Sequence, residues 1–169
     1  AESYFKIFKR CGLEAVRVRA TGGAFSKFSD EFQVITPFGE DTIYYCKKWN
    51  VGVNKEIIGE QKNTCPECGN KKLEERKAIE VGNIFKLGVK FSNPFGFCFK
   101  DANGKDQSVQ MGCYGMGPSR IMGTLVEVFH DNKGIIWPES VAPYKVHLLT
   151  LGNDEQIKTE ADKLYKKLI

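Results

Sequence analysis

Hydrophobic residues recur three and four apart at the start of the chain and two apart soon after. In residues 1–13, Phe5, Phe8 and Cys11 keep helical spacing, and Gly12 suits the left-handed position that ends a helix. The run EAVRVRA at 14–20 alternates apolar with polar, as a strand with one buried face does. Further strands are predicted at 42–46, 78–85, 95–100 and 108–114, with turns at Gly22-Gly23, Gly39-Glu40, Asn93-Pro94 and Asn103-Gly104. Asn103-Gly104 separates FGFCFKD from SVQMGCY, which predicts a hairpin. Over 118–131 the period returns to helical: Ile121, Met122, Leu125, Val126 and Phe129 form a stripe, and Pro118 suits a first helical position. The stretch KVHLLTL at 145–151 reads as a buried strand. Asn153 then opens a helix, with Gln156 at the capping-box position and Ile157, Ala161, Leu164 and Leu168 on one face. The predicted class is α+β, an antiparallel sheet with helices packed on it.

Composition narrows this picture. With 169 residues, 41% of them hydrophobic, the chain can bury a core and is not disordered. No apolar run reaches the roughly 18 residues that a bilayer requires, and AESYFKIFKR mixes charges with aromatics, unlike a signal peptide. A cytoplasmic location is the expectation. A net charge of +4 permits an anionic partner without demanding one. Six cysteines, two of them in Cys65-Pro66-Glu67-Cys68, fit free thiols or a metal site better than a secreted disulfide framework. With neither an initiator Met nor an N-cap, the chain is expected to begin inside a helix. The strand and helix at 143–169 cannot bury both their apolar faces, so they read as the truncated first βα unit of a second domain after 1–142.

MGCYGMGPSR at 111–120 carries the densest chemistry. It runs from strand through Gly115 and Gly117 to a helix start, with Arg120 in the first helical turn. A helix N-terminus presents free N–H groups and partial positive charge, and a guanidinium adds donors suited to phosphate. Spacing alone leaves two readings open, a phosphate site and a glycine turn at a sheet edge.

The G-x-G-x-x-R string at a strand-to-helix junction resembles motif 3 of class II aminoacyl-tRNA synthetases. GGAFSKFSDEFQV, GEDTIYYC, AIEVGNIFKLGVKFS, MGCYGMGPSR and HDNKGIIWPESVAPYKVHLL are similar, in order, to successive blocks of bacterial-type prolyl-tRNA synthetases and cover nearly the whole chain. The resemblance implies a two-step reaction, in which proline and ATP give prolyl-adenylate and the prolyl group passes to tRNA(Pro). It also implies Mg2+, a homodimer, and an anticodon-binding domain beginning at 143–169. Motifs 1 and 2 of that family would lie before Ala1, so the 169 residues alone are expected to be inactive.

Residue by residue, the resemblance makes Arg120 the catalytic residue that grips the ATP γ-phosphate and stabilises charge as pyrophosphate leaves. Glu80 would lie near the nucleotide, acting through ribose or Mg2+; the plain alternative is a half-exposed strand carboxylate. Gly82, Gly115 and Gly117 would form the floor beneath ATP. Glu31, Phe32, Phe85 and Cys113 would shape the proline pocket, with Gly22, Gly23 and Ser29 on the same substrate-facing loop as Glu31 and Phe32. Asp30 and Asn83 stand where the family usually has histidine, which puts any imidazole hydrogen bond there in doubt.

Cys46, Cys65 and Cys68 lie in a short insert at about 46–72. Cys65-Pro66-Glu67-Cys68-Gly69 resembles a zinc knuckle, but Trp49 occupies the place of a fourth thiolate in Cys46-Lys47-Lys48-Trp49. Three thiolates then hold a structural zinc with a carboxylate or water, or the site has decayed. Many bacterial relatives carry an editing domain between the Asn54-Lys55-Glu56 block and AIEVG, where this chain has only 57–77. A proline pocket discriminates weakly against alanine, by about 1–3 kcal/mol, so mischarging would be tolerated or cleared by a separate deacylase. Two alternatives remain: a non-enzymatic paralogue that binds nucleotide, tRNA or a protein, and a related synthetase for threonine, serine or glycine.

Overall fold

In the computed structural model, which describes residues 1–169, the alternating run near the N-terminus forms β1 (Ala15–Thr21). It follows α1 (Glu2–Arg10), which ends at Gly12 with a φ of +85°, the left-handed conformation the sequence predicts there. The chain continues through β2 (Phe28–Ile35), β3 (Asp41–Cys46), β4 (Val51–Asn54) and the long β5 (Glu74–Gly88). After a 3-10 turn come β6 (Cys98–Lys100), β7 (Asp106–Ser108), β8 (Met111–Met116) and α2 (Pro118–Val128), with Pro118 at the helix start. The short strands β9 (His130–Asp131) and β10 (Gly134–Ile135) complete a first unit, Ala1–Pro138.

Strands β1 to β5 pair back on themselves. β2 joins β1, β1 joins β4 in parallel, β4 joins β3, β3 joins the first part of β5, and β2 joins the second. The remaining pairs are antiparallel, and β8 adds to the free side of the second part of β5. Ala78 is the common point, opposite both Ile35 and Asp41. The β2–β3 turn passes directly over it. A Cβ on Gly39 would lie 2.3 Å from the Ala78 backbone, so only glycine fits that crossing.

Cross-strand partners share a sheet face. One face holds the buried cluster Val16, Val18, Ile43 and Ala78, with Ile35 and Tyr45 against it. The opposite face carries α1. There Phe32, fully buried, stacks on Tyr4 at 4.7 Å between centroids and meets Phe5 and Phe8 edgewise or tilted. Ile121 and Leu125, on the predicted stripe of α2, are also buried.

Several predictions of extent need correction. Residues 108–114 are not one strand: β7 pairs with β6 as the Asn103-Gly104 hairpin, whereas β8 leaves to join β5. The run at 95–100 is strand only from Cys98, because residues 93–95 form a 3-10 turn. Ser29, Glu31 and Phe32 sit on β2 and not on a loop.

The second unit, Glu139–Ile169, holds α3 (Glu155–Leu168). Asp154, one residue later than predicted, caps it, its carboxylate accepting the Gln156 N–H at 2.7 Å. Residues 145–151 are neither strand nor buried, with Leu149 and Leu151 69% and 81% exposed. A strand needs a ladder partner for its N–H and C=O groups, and this unit contains no strand to supply one.

Candidate functional site

A row of polar side chains crosses the face opposite α1. Glu31 lies opposite Val18 on β1 and Asn83 on β5, and Gln33 lies opposite Val16 and Glu80. Gln33 Nε2 donates to Glu31 Oε2 at 2.7 Å and to Asp41 Oδ2 at 2.9 Å. Asn83 Nδ2 donates to Glu80 Oε1 at 3.0 Å. Residues three apart on a regular strand point to opposite faces. Here the register shifts so that Phe32 faces Gly82 and Gln33 faces Glu80, leaving Val81 as an extra residue. That bulge returns Glu80 and Asn83 to one side.

Three carboxylates thus share one patch. Burial pushes the Glu31 carboxyl up, and the charges of Glu80 and Asp41 add to the rise while the Gln33 and Asn54 hydrogen bonds oppose it; the result is about 7. Gln33 is fully buried, and its Oε1 has no hydrogen-bond partner. The patch therefore offers negative charge to a cationic donor, with Gln33 buried beneath it. Gln33 Nε2 sits between Glu31 and Asp41, and the three carboxylates do not draw close enough together to form a metal-ligand cluster.

The next row along the same face is apolar. Ser29, Phe85 and Cys113 align across β2, β5 and β8, and Phe25 from the β1–β2 turn lies 5.1 Å from Phe85 between centroids. Phe85 is partly buried and Cys113 exposed. Ser29 is buried, its hydroxyl donating to the Thr21 carbonyl at 2.8 Å. Glu31, Phe85 and Cys113 come together on this face as neighbouring rows. Phe32 does not, because alternation along β2 turns it into the aromatic packing under α1. Asp30 also faces away, lining a cleft of about 570 Å3 with Arg17, Ile84, Lys86 and Tyr114. Of the two positions that depart from histidine, only Asn83 belongs to the acidic row.

The glycines have local neighbours of their own. A Cβ on Gly82 would sit 3.0 Å from the Gly115 carbonyl and 3.1 Å from the Tyr4 ring, so Gly82 makes room for α1 and does not line a floor on the acidic face. At Gly115 a Cβ would lie 2.5 Å from Asn83 Oδ1, and at Gly117 3.3 Å from Arg120 Cβ. Arg120 Nε donates to the Glu80 carbonyl at 2.7 Å, and its guanidinium pairs with Glu40. The arginine therefore stands beside the acidic row, half exposed, with an anion already on it.

Cys46, Cys65 and Cys68 converge separately. Their Sγ atoms lie within 4.8 Å of one another, with Cys46 and Cys68 3.9 Å apart. Cys46 and Cys65 are buried against Val51 and Leu73, and Cys68 is exposed. Sequence reading missed Gln33, Asp41, Asn54 and Glu40. The available signal was a polar residue at an inward strand position, as in FQVI and GEDTI.

Residues 1–129 match the family described as tRNA synthetase class II core domain (G, H, P, S and T). A proline–tRNA ligase of Wolbachia sp. subsp. Drosophila simulans (strain wRi) is 39% identical over 180 residues, covering 99% of this chain and 42% of the relative. That of Ehrlichia chaffeensis is 40% identical over 183 residues, covering 99% and 43%. The chain thus spans less than half the length of these curated relatives. Among solved structures, a prolyl-tRNA synthetase from Cryptosporidium parvum complexed with L-proline and AMP shares the fold, with a TM-score of 0.61 at 16% identity over 98% of this chain and 28% of that one. A second structure of that enzyme, complexed with halofuginone and AMPPNP, gives a TM-score of 0.57 at 18% identity over 96% and 28%.

Proposed function

Because this chain belongs to the tRNA synthetase class II core family, we propose that it is the motif 3 segment of a proline–tRNA ligase, which activates proline with ATP and transfers it to tRNA(Pro). The carrying observation is the acidic row beside Phe85 and Cys113. Proline is a secondary ammonium on a small apolar ring. The Glu31 carboxylate suits the ammonium, and the Phe85–Cys113 row suits the ring.

Arg120 is the proposed catalytic residue. A triphosphate oxygen would replace the Glu40 carboxylate on its guanidinium, exchanging one anion for another. As the proline carboxylate attacks the α-phosphorus and pyrophosphate departs, Arg120 would hold the negative charge that collects on the leaving group. Glu80, whose carbonyl orients Arg120, would act on the nucleotide through ribose or Mg2+. Bound Mg2+ would neutralise phosphate charge. Gly115 and Gly117 keep the approach to Arg120 low, and Gly82 serves the fold beneath them.

The reading extends to a homodimeric enzyme whose anticodon-binding domain starts at residues 143–169. With no helix long and apolar enough to cross a membrane and six free cysteines, we place it in the cytoplasm. The test is amino-acid-dependent ATP–pyrophosphate exchange by the polypeptide that carries this segment in its source, beside the 169 residues alone. Exchange stimulated by proline in the former only, and reduced about 100-fold or more by Arg120→Ala, supports the reading. Exchange stimulated by threonine, serine or glycine, or none with proline, overturns it.

A further inference from the structure

Two turns face each other at the end of the β3–β4 hairpin. In Cys46-Lys47-Lys48-Trp49-Asn50 the Trp49 N–H reaches back to the Cys46 carbonyl at 3.2 Å, and Asn50 is left-handed with a φ of 50°. In Cys65-Pro66-Glu67-Cys68-Gly69 the Gly69 N–H reaches the Cys65 carbonyl at 2.9 Å, and Gly69 is left-handed with a φ of 68°. Each turn begins with a buried cysteine and ends in a left-handed residue. The fourth position of one is Cys68 and of the other Trp49. A tetrahedral zinc with Zn–S bonds of about 2.3 Å sets its sulfurs about 3.8 Å apart. The Cys46–Cys68 separation of 3.9 Å already meets that spacing, and all three thiols lie within 4.8 Å.

We propose that Cys46, Cys65 and Cys68 bind one zinc ion, with water at the position that Trp49 leaves open. Trp49 is 51% exposed and does not fill the gap, and Cys68 borders solvent, so water has access. The neighbouring Glu67 carboxylate is engaged by Arg17. The ion ties the β3–β4 hairpin to the segment before β5, beside the small cluster of Cys46, Val51, Cys65 and Leu73 that packs the two together. None of its ligands belongs to the acidic row, so its role is structural.

Elemental analysis of protein purified without chelator is expected to read about one zinc per chain, lost in Cys65→Ser. Cobalt added to the reduced, metal-free protein is expected to give a near-ultraviolet thiolate-to-metal charge-transfer band, which needs no variant to fold. Trp49→Cys should intensify that band and retain metal at chelator concentrations that strip the parent. Protein isolated without zinc whose reduced form gives no cobalt band overturns the proposal, as does a Trp49→Cys variant that binds cobalt no differently from the parent.

Discussion

Glu31 keeps its proton into the neutral range because the fold buries it between two other carboxylates. The unfolded chain releases that proton near its ordinary value of 4.5, whereas the folded chain holds it to about 7. Stability must therefore fall as pH rises through this window, and stay lowered above it. Glu31→Gln removes the window. Urea titrations are expected to show the variant more stable than the parent by up to about 3 kcal/mol above neutrality, with no such gap below about pH 4. Glu40 offers a second residue-level test. Its carboxylate pairs with Arg120 and, under the proposed function, would compete there with an ATP phosphate; an exposed pair of this kind is worth up to about 1 kcal/mol. In the longer polypeptide that carries this segment, Glu40→Gln is then expected to lower the KM for ATP by about 1.5- to 5-fold, measured by proline-dependent pyrophosphate exchange. Arg120 and Glu80 stand out in the sequence through motif and strand position. Their meeting with Asn83 does not, because it depends on the bulge at Val81, and an extra residue in a ladder leaves no mark in a run such as AIEVGNIF.

At the level of elements, the face under α1 is held by aromatic packing with little slack. Phe32→Ala would empty the space between Tyr4, Phe5 and Phe8 at a cost of about 3–5 kcal/mol. Gly82→Ala would press a methyl group toward a carbonyl and two rings, for about 1–3 kcal/mol. Both should appear as lower urea midpoints with an unchanged slope. Helices were legible because their stripes extend over several turns and their ends carry Gly12 and Pro118. Strands β2 and β4 were missed for a physical reason. FSDEFQVI places acids and an amide inward among the apolar residues, so its alternation is blurred, and VGVN is too short to show a period. The reverse error at 145–151 follows from the same logic: apolar content favours a strand only when another strand is there to pair with it.

At the scale of the molecule, residues 139–153 contain no helix or strand and are mostly exposed. Limited proteolysis is expected to cut there before it cuts β1 to β5, and mass spectrometry of the first fragments would reveal the order. The closed pairing of those five strands has a further consequence for how the chain is made. Residues 74–85 must meet β2 and β3, which were synthesised long before them. Until that stretch leaves the ribosome, the nascent chain carries strand edges with no ladder to join, a state that invites chaperone capture and makes acquisition of the native form slow.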